Sequence, residues 1–394
     1  MKIGLIRTPF KEDEVNKFEY IAIHKKRKWL KNVDCDYIIH LNEDYADNDR
    51  QARNYIRNNG SKYVADDISI YYYLQYKYGK RHSFILIRGN DENIETIAKS
   101  CDVVFLLIFD ILEAFHTLPK EKFERIQKVF SLPNVFPPYT YQKLVNHKNL
   151  YYDYLSEHGI RVVPTLYISS HEFLRDPHSC VEKVMTMSRG DRNSFIGKPI
   201  YGQESIDFYL FDEYTRPNHV HKYLERISAL YKGCVFQPFI KSLLDDGEYR
   251  VFYIGNNYVY TIKTKFDSTR TYITETHVTH RDDKKLKDVL KFTNKVFQSL
   301  PDLKVGGKTM EKLMTRIDVN CCYDGNYFVS EIEFVPSLYI NTVDNLFIDK
   351  QLGDQIMKIS HQINNTPVKN ENKKQWLVLC LLLLFFILFL VILY

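Results

Sequence analysis

The sequence lacks the common signals of nucleic-acid recognition, zinc binding and dinucleotide binding. Its 54 Lys and Arg residues only slightly exceed its 49 Asp and Glu residues. The resulting net charge of +5 is too small and too dispersed to indicate a nucleic-acid partner. None of the seven cysteines forms a C-x-x-C pair, which argues against zinc-finger spacing and favours reduced thiols in an intracellular compartment. No G-x-G-x-x-G motif follows the first predicted strand, so a Rossmann dinucleotide site is not supported.

The composition is that of a globular protein, and the 394 residues, 45% hydrophobic and 26% charged, suffice for two domains. Over residues 1–136, apolar strands alternate with helical patterns, which predicts a parallel α/β sheet with helices on its faces. The predicted strands are Lys2–Ile6, Tyr37–His40, Phe84–Ile87 and Val103–Phe109, and the predicted helices are Phe18–Lys31, Val64–Tyr78 and Asn93–Lys99. Leu132–Pro138 predicts a domain boundary. A helix over Lys143–His158, closed by Gly159, opens the next domain.

The end of the sequence predicts a membrane anchor. Residues 376–394 carry no charge and would span roughly 28 Å as a helix, close to the ~30 Å hydrocarbon core of a bilayer. Lys369, Lys373 and Lys374 precede this stretch, as the positive-inside rule expects of a cytosolic flank. The apolar run at the N-terminus is too short for a signal peptide. We therefore expect a single-pass, C-terminally tail-anchored membrane protein whose globular part faces the cytosol.

Residues 316–340 predict a β-hairpin. Two alternating segments meet at Asp324-Gly325, the dipeptide that a two-residue type I′ turn prefers. That turn would place Asp318 directly opposite Glu331, with Glu333 on the same face because side chains repeat every two residues. The residues expected on the other, apolar face are Ile317, Val319, Ile332 and Phe334.

Three carboxylates on one face repel one another, so the fold must offset their charge. One offset is Arg316, which the same register places opposite Glu333 and which could neutralise one carboxylate. The other is a hard divalent cation, which takes oxygen ligands and, as Mg²⁺, is commonly shared with nucleotide phosphates. The sequence favours the cation and leaves the structural ion pair open.

This hairpin resembles the C-terminal signature of ATP-grasp enzymes. In that signature an acidic residue on one strand precedes a second strand that reads E-x-[EN] and then Pro and a small residue, here Pro336 and Ser337. The resemblance implies that Asp318, Glu331 and Glu333 bind Mg²⁺ or Mn²⁺ together with ATP. Glu333 stands where the family usually has Asn, a change that keeps a metal ligand and adds negative charge.

Two lysines match further parts of the family pattern. Lys148 lies near a predicted helix start, in NHKNL, and by resemblance contacts the nucleotide phosphates. Lys198, in FIGKPIYGQES, matches the ATP-binding lysine, and an ammonium group is a suitable partner for phosphate oxygens. The loop after Lys198 departs from the family pattern, because it offers only Gly202 and Ser205 where relatives have several Gly and Ser residues.

The segment VFQPFI resembles the hinge that contacts adenine through backbone groups. Pro238 has no N–H but keeps its carbonyl, so an acceptor at Pro238 and a donor at Ile240 are compatible with that role. Glu248 takes the place of the acidic residue that meets the ribose hydroxyls, with Asp245 and Asp246 as nearby substitutes. The hinge residues would be Gln237, Pro238, Phe239 and Ile240.

Three basic residues complete the resemblance. Arg250, in EYRVF, matches the arginine that lies near the transferred phosphate and the substrate in glutathione-synthetase-like and RimK-like members. Lys263 lies where relatives often have a basic residue at the phosphates. Arg270 resembles the arginine of the family's R-T-N turn, in which Tyr272 here replaces the Asn. Arg250 and Arg270 are thus the implied catalytic residues.

Together these motifs imply an α/β and α+β protein with four parts: an N-terminal pre-ATP-grasp domain (1–136), a two-lobed ATP-grasp domain (137–362), a polar linker (363–375) and a transmembrane helix (376–394). The implied activity is ligation through an acylphosphate, in which a carboxylate is phosphorylated by ATP and then joined to an amine. The acceptor would be an amino acid, another small molecule or a peptide. Two alternatives remain open, namely a kinase of a hydroxyl acceptor such as an inositol phosphate, and a membrane-tethered nucleotide-binding protein without turnover.

Overall fold

The computed structural model of the chain describes residues 1–7, 20–23, 26–41, 50–89, 91–107, 120–189, 194–201, 207–212, 214–266, 273–322 and 324–365. The strands are β1 (Lys2–Arg7), β2 (Tyr20–Ala22), β3 (Ile39–His40), β4 (Lys62–Ala65), β5 (Ser83–Arg88), β6 (Val103–Leu106), β7 (Val135–Phe136), β8 (Leu166–Ser169), β9 (Phe195–Pro199), β10 (Tyr209–Phe211), β11 (Gly233–Pro238), β12 (Glu248–Ile254), β13 (Asn257–Phe266), β14 (Ile273–His277), β15 (Leu303–Val305), β16 (Lys308–Met310), β17 (Met314–Cys321) and β18 (Tyr327–Glu333). The helices are α1 (Arg50–Asn59), α2 (Asp66–Tyr78), α3 (Ile94–Lys99), α4 (Lys120–Phe130), α5 (Tyr139–Asn146), α6 (Lys148–Glu157), α7 (Ser170–Arg175), α8 (Pro177–Arg189), α9 (Pro217–Leu230), α10 (Ser242–Asp246), α11 (Leu286–Ser299), α12 (Ile340–Val343) and α13 (Ile348–Asn364).

The N-terminal region contains the parallel sheet that the sequence predicts. Its strand order is β5-β1-β6-β7, and Ile3 of β1 pairs with Phe84 on one side and Val103 on the other. Ile3 and its two paired residues, Phe84 and Val103, are all buried, as expected of a sheet covered on both faces. The strand–helix alternation therefore predicted a parallel sheet and three of its four strands, whereas β7 was not predicted.

The helix predicted over Phe18–Lys31 is wrong where the structure describes that stretch. Tyr20–Ala22 forms β2, which pairs antiparallel with β4, and Lys28–Leu30 forms one short 3₁₀ turn. All three residues of β2 are buried, so tertiary pairing overrides a pattern that is helical in isolation. The same pairing moves the start of α2 from the predicted Val64 to Asp66. The strand predicted over Tyr37–His40 shortens to β3 and joins this antiparallel sheet.

A four-stranded sheet, of order β10-β9-β11-β8, forms a separate lobe with α7, α8 and α9. Its strands pair antiparallel, and its buried side chains form a hydrophobic cluster of their own. Phe195 and Phe211 stack in this cluster with ring centroids 4.6 Å apart. This lobe carries Lys198 on β9 and the hinge segment on β11.

A five-stranded antiparallel sheet has the order β14-β13-β12-β17-β18. One face packs against α11, where the rings of Tyr253 and Phe297 stack at 4.5 Å. Its buried residues belong to one hydrophobic cluster together with those of the N-terminal parallel sheet. The opposite face of β12, β17 and β18 carries the predicted acidic residues.

Helix α13 fixes the C-terminal part of the fold against α2. The carboxylate of Asp354 accepts hydrogen bonds from Tyr73 and Lys77 at 2.7 Å and from Tyr78 at 2.9 Å. Gly353 allows the close approach, because a Cβ atom there would lie 2.5 Å from the ring of Tyr73. These contacts join the N-terminal region and α13 into one packed unit.

One predicted helix is divided in the structure. The helix expected over Lys143–His158 is two helices, α5 and α6, because His147 between them has an extended backbone with φ −110° and ψ 109°. Gly159 follows α6 with φ +67°, the left-handed conformation expected of a helix-ending glycine.

The predicted transmembrane segment 376–394 lies outside the described residues and stays a prediction. None of the helices that the structure does describe is long and apolar enough to cross a membrane.

Candidate active site

The hairpin of β17 and β18 has the predicted register at its acidic end. Asp318 pairs with Glu331, and Arg316 pairs with Glu333. These four side chains lie on one face, whereas the intervening Ile317 and Ile332 are buried on the other. The clustering of three carboxylates on one face of the sheet is therefore confirmed.

This register results from two irregularities that compensate each other. Near the turn Cys321 pairs with Tyr327, one residue out of the predicted register, so the connection is longer than a two-residue turn. Between the pairs Val319–Val329 and Asp318–Glu331 the register shifts back by a β-bulge, in which Ser330 is the additional residue. Because a one-residue slip moves a side chain to the opposite face, the bulge places Glu331 beside Asp318.

Arg316 lies between two of the carboxylates. Its Nε donates to Asp318 Oδ1 at 2.8 Å and its Nη2 to Asp318 Oδ2 at 2.9 Å. The same Nη2 donates to Glu333 Oε1 at 2.6 Å. The structural ion pair that the sequence left open is thus present, and it engages two carboxylates rather than one.

The guanidinium group does not offset all of the negative charge on this face. Burial raises the pKa of Asp318 to about 6 although Arg316 opposes the rise, and the charge of Glu248 adds to it. Burial, again only partly opposed by Arg316, raises the pKa of Glu333 to about 8, with contributions from Glu331 and Asp318. A further cation at this face would favour the ionised form of both carboxyl groups.

Two lysines from other elements act on Glu331. Lys148, the first residue of α6, places Nζ 2.9 Å from Glu331 Oε1, and the two side chains are 7% and 24% exposed. Lys198 of β9 donates from Nζ to the hydroxyl of Tyr152 at 3.0 Å. Burial alone would raise the pKa of Glu331, but the charges of Lys148, Lys198 and Arg316 hold it below its ordinary value. The structure therefore brings together both predicted phosphate-binding lysines and a predicted metal ligand.

Arg250 and Glu248 of β12 extend the same face. Arg250 pairs across the sheet with Asp318, and its Nε lies 3.1 Å from Glu248 Oε2 and 3.9 Å from Asp318 Oδ2. Glu248 Oε1 accepts from Ser330 Oγ at 2.7 Å and from Asn320 Nδ2 at 3.2 Å. Arg250 and Glu248 thus join the cluster as predicted, with both oxygens of Glu248 hydrogen-bonded inside the protein.

The hinge segment lies at the end of β11. The side-chain Nε2 of Gln237 donates to Thr165 Oγ1 at 2.8 Å, and the N–H of Phe239 donates to the carbonyl of Ser194 at 2.9 Å. These two groups are therefore used within the protein. The backbone pattern remains compatible with the predicted acceptor at Pro238 and donor at Ile240.

The structure does not bring Lys263 to the cluster. Lys263 pairs with Tyr249, whereas the neighbouring Ile262 pairs with Arg250, so alternation along β13 directs Lys263 to the opposite face of the sheet. There its Nζ donates to Asp283 and to the hydroxyl of Tyr249, both at 2.8 Å. Its phosphate-binding role does not fit this position. The remaining predicted residues, Arg270, Gly202 and Ser205, lie outside the described part of the chain.

Sequence reasoning missed three residues that belong to the cluster. Asn320 lies two residues after Asp318 on β17, so strand alternation alone places it on the same face. Tyr152 lies one helical turn after Lys148, the spacing that puts two side chains on one side of a helix. Ser330 contacts Glu248 because the bulge turns its side chain to this face, and no motif in the sequence predicts a bulge at that position.

The residues present fit a hard divalent cation. The donors of β17 and β18 are carboxylate oxygens, which Mg²⁺ and Mn²⁺ prefer. On the same face Asn320 Oδ1 is a buried oxygen that accepts no hydrogen bond from the described residues. Within the described residues, three ligating atoms lie within 4.8 Å of one another only at the exposed group Asp34, Cys35 and Asp36. The hairpin carboxylates are more widely spread because Arg316 bridges two of them.

Comparison with known proteins identifies the architecture. No family model matches the chain, and no curated protein sequence matches it. Among solved structures, D-cycloserine synthetase DcsG superposes with a TM-score of 0.56 at 15% identity, covering 73% of this chain and 93% of its own. D-alanyl-alanine synthetase A from Vibrio cholerae gives a TM-score of 0.54 at 12% identity, and D-alanine–D-alanine ligase from Bacillus anthracis complexed with ATP gives 0.52 at 15%. Each of these two similarities covers 92% of this chain and 98% of the other. All three are ATP-grasp enzymes, and the chain therefore has the ATP-grasp fold.

Proposed function

We propose that this chain is an ATP- and Mg²⁺-dependent ligase that joins a carboxylate to an amine through an acylphosphate. The observation that carries the proposal is the 2.9 Å contact of Lys148 with Glu331, with the charge of Lys198 acting on the same carboxylate. Ammonium groups next to a carboxylate are the elements needed to bind a metal–polyphosphate complex. The similarity to solved D-alanine–D-alanine ligase and D-cycloserine synthetase supports the same chemistry.

In this proposal each part of the site has one role. Lys148 and Lys198 bind the phosphates, Pro238 and Ile240 the adenine, and Glu248 the ribose hydroxyls. When bound, Mg²⁺ would neutralise phosphate charge as the γ-phosphoryl group moves. The residues that would hold the metal are Asp318, Glu331 and Glu333.

Arg250 would stabilise the negative charge that develops during transfer. Its guanidinium carbon lies 5.4 Å from the centre of the Tyr339 ring, and its side chain is 24% exposed. A substrate carboxylate oxygen bonds to the γ-phosphorus while the bond from that phosphorus to ADP breaks. The amine nitrogen then bonds to the acyl carbon, phosphate leaves, and the amine loses a proton. The protein contributes mainly position and electrostatics.

Trapping the acylphosphate tests this reaction before the acceptor is known. The chain is incubated with Mg²⁺, ATP, pooled amino acids and short peptides, and hydroxylamine, which converts an acylphosphate into a hydroxamate. We expect ADP and hydroxamate to form together, and to be lost in Glu331→Gln. Lys358→Met is the control, because Lys358 pairs with Glu311 outside the cluster.

The products separate the proposal from its alternatives. A phosphorylated product that is stable to hydroxylamine would show a kinase instead. Binding of ATP without ADP release from any pool would favour a nucleotide-binding protein without turnover. The small-molecule or peptide acceptor and membrane attachment through 376–394 belong to the same proposal and rest on the sequence.

A further inference from the structure

The candidate site contains equal numbers of acidic and basic side chains. Four carboxylates are connected by ion pairs or close charge interactions to four cations. When all eight are ionised their formal charges cancel. They are Glu248, Asp318, Glu331, Glu333, Lys148, Lys198, Arg250 and Arg316.

A balanced buried cluster resists the binding of a single charged ligand. Removing one partner of a buried pair leaves the other charge uncompensated, which is strongly unfavourable. A metal ion that takes Glu331 alone would leave the ammonium of Lys148 without this carboxylate. A nucleotide phosphate that takes Lys148 alone would leave Glu331 without this ammonium.

The pair Lys148–Glu331 is the part of the cluster best suited to open. Glu331 is 24% exposed, whereas Asp318 and Glu333 are 2% and 6% exposed and are fixed by Arg316. Lys148 Nζ lies 2.9 Å from Glu331 Oε1, whereas Asp318 and Glu333 accept three hydrogen bonds from the guanidinium group of Arg316. Glu331 is therefore the carboxylate that a ligand reaches at the lowest cost.

We infer that the Lys148–Glu331 ion pair couples metal binding to nucleotide binding, so that Mg²⁺ and ATP bind this chain cooperatively and each binds weakly alone. The metal takes Glu331, the phosphates take Lys148, and both members of the opened pair regain an opposite charge. This inference rests on the proposed function, because it assigns the metal and the phosphates to the same site.

Isothermal titration on the full chain tests the coupling. Three dissociation constants are measured: Mg²⁺ alone, ATP in EDTA, and ATP at a fixed excess of Mg²⁺. The coupling ratio is the dissociation constant for ATP in EDTA divided by that in Mg²⁺. Association of Mg²⁺ with ATP in solution contributes equally for every variant and cancels when variants are compared. The variants are Lys148→Met, Glu331→Gln and the control Lys358→Met, which removes a Lys–Glu pair of 2.7 Å elsewhere.

We expect both site variants to lower the coupling ratio by about tenfold, equivalent to ~1.4 kcal/mol, while the control keeps the parent ratio. Lys148→Met should bind Mg²⁺ alone more tightly than the parent, because Glu331 is released. Glu331→Gln should bind ATP in EDTA more tightly, because the carboxylate of Glu331 no longer competes with the phosphates for Lys148.

An unchanged ratio in both site variants would overturn the inference, as would weaker binding of ATP in EDTA by Glu331→Gln. Absence of ATP binding to the parent under either condition would instead overturn the proposed function, and the inference with it. The apo melting temperatures of the variants report any loss of folding separately from the loss of coupling.

Discussion

At the scale of single residues, Arg316 stabilises the acidic face of the sheet. Its three hydrogen bonds reach two carboxylates, and the side chains of Arg316, Asp318 and Glu333 are all at most 6% exposed. Buried charges depend on their partners, because water cannot solvate a charge that loses its partner there. Arg316 therefore supports the site even before any ligand binds.

Replacing Arg316 by Met should lower the free energy of unfolding by about 3–5 kcal/mol, the usual cost of breaking a buried ion pair. Adding Glu333→Gln should recover part of this loss, since one carboxylate no longer needs a partner. Urea unfolding measures both values. The control is Arg161→Met, whose pair with Asp324 is 45% and 51% exposed and should contribute at most about 1 kcal/mol. If Arg316→Met and Arg161→Met unfolded at the same urea concentration, the role of Arg316 would be refuted.

The sequence predicted which side chains share this face, but not all of their partners. Strand alternation predicts that Glu331 and Glu333 share a face, but Glu331 lies opposite Asp318 only because the bulge at Ser330 offsets a connection longer than the predicted two-residue turn. The contact of Lys148 with Glu331 depends on how α6 packs against the hairpin, a long-range arrangement that local patterns do not encode. Lys263 illustrates the same limit. Its place in the sequence matches the family pattern, but its side chain lies on the face of the sheet opposite the carboxylates.

At the scale of elements, His147 joins α5 to α6 and positions the start of the helix that carries Lys148. Its Nδ1 lies 2.6 Å from the carbonyl oxygen of Lys143, so that nitrogen carries the proton. Its Nε2 contacts the hydroxyl of Tyr201, and in the neutral ring this nitrogen accepts the hydrogen bond. Burial lowers the pKa of His147, consistent with this neutral state.

This neutral histidine predicts a pH dependence of stability. Because its folded pKa lies below the unfolded value of about 6.5, the unfolded chain binds the proton more readily. The histidine should therefore destabilise the fold progressively as pH falls below that value. His147→Gln should show a smaller loss of stability between pH 7 and pH 5 than the parent, measured by urea unfolding at each pH. Equal losses in the two proteins would show that His147 does not contribute.

Elements were predicted best where a local pattern and a tertiary contact agree. Strands β1 and β5 and helix α2 carry strong periodicity and appear at nearly their predicted bounds, whereas β7 was not predicted. Residues 18–31 were predicted as a helix, because nothing local shows that Tyr20–Ala22 has a pairing partner in β4. No local pattern predicts the bulge at Ser330 either, although the predicted pairing of Asp318 with Glu331 depends on it.

At the scale of the whole molecule, the site spans two separately packed parts. One hydrophobic cluster joins the N-terminal sheet to the five-stranded sheet, and a buried ion pair between Arg27 and Asp349 at 3.0 Å connects the N-terminal region to α13. The lobe that carries Lys198 and the hinge has its own cluster. A nucleotide bound by both parts would therefore link units that otherwise have separate cores.

The most direct test of the central claim is calorimetric binding of ATP, at excess Mg²⁺, to the parent chain and to Glu331→Gln. If the hairpin carboxylates hold the metal of a nucleotide site, the parent should bind one ATP per chain. Glu331→Gln should bind it at least about tenfold more weakly, a loss of ~1.4 kcal/mol. Equal affinity in the two proteins, or no binding by a folded parent at millimolar ATP, would contradict the account.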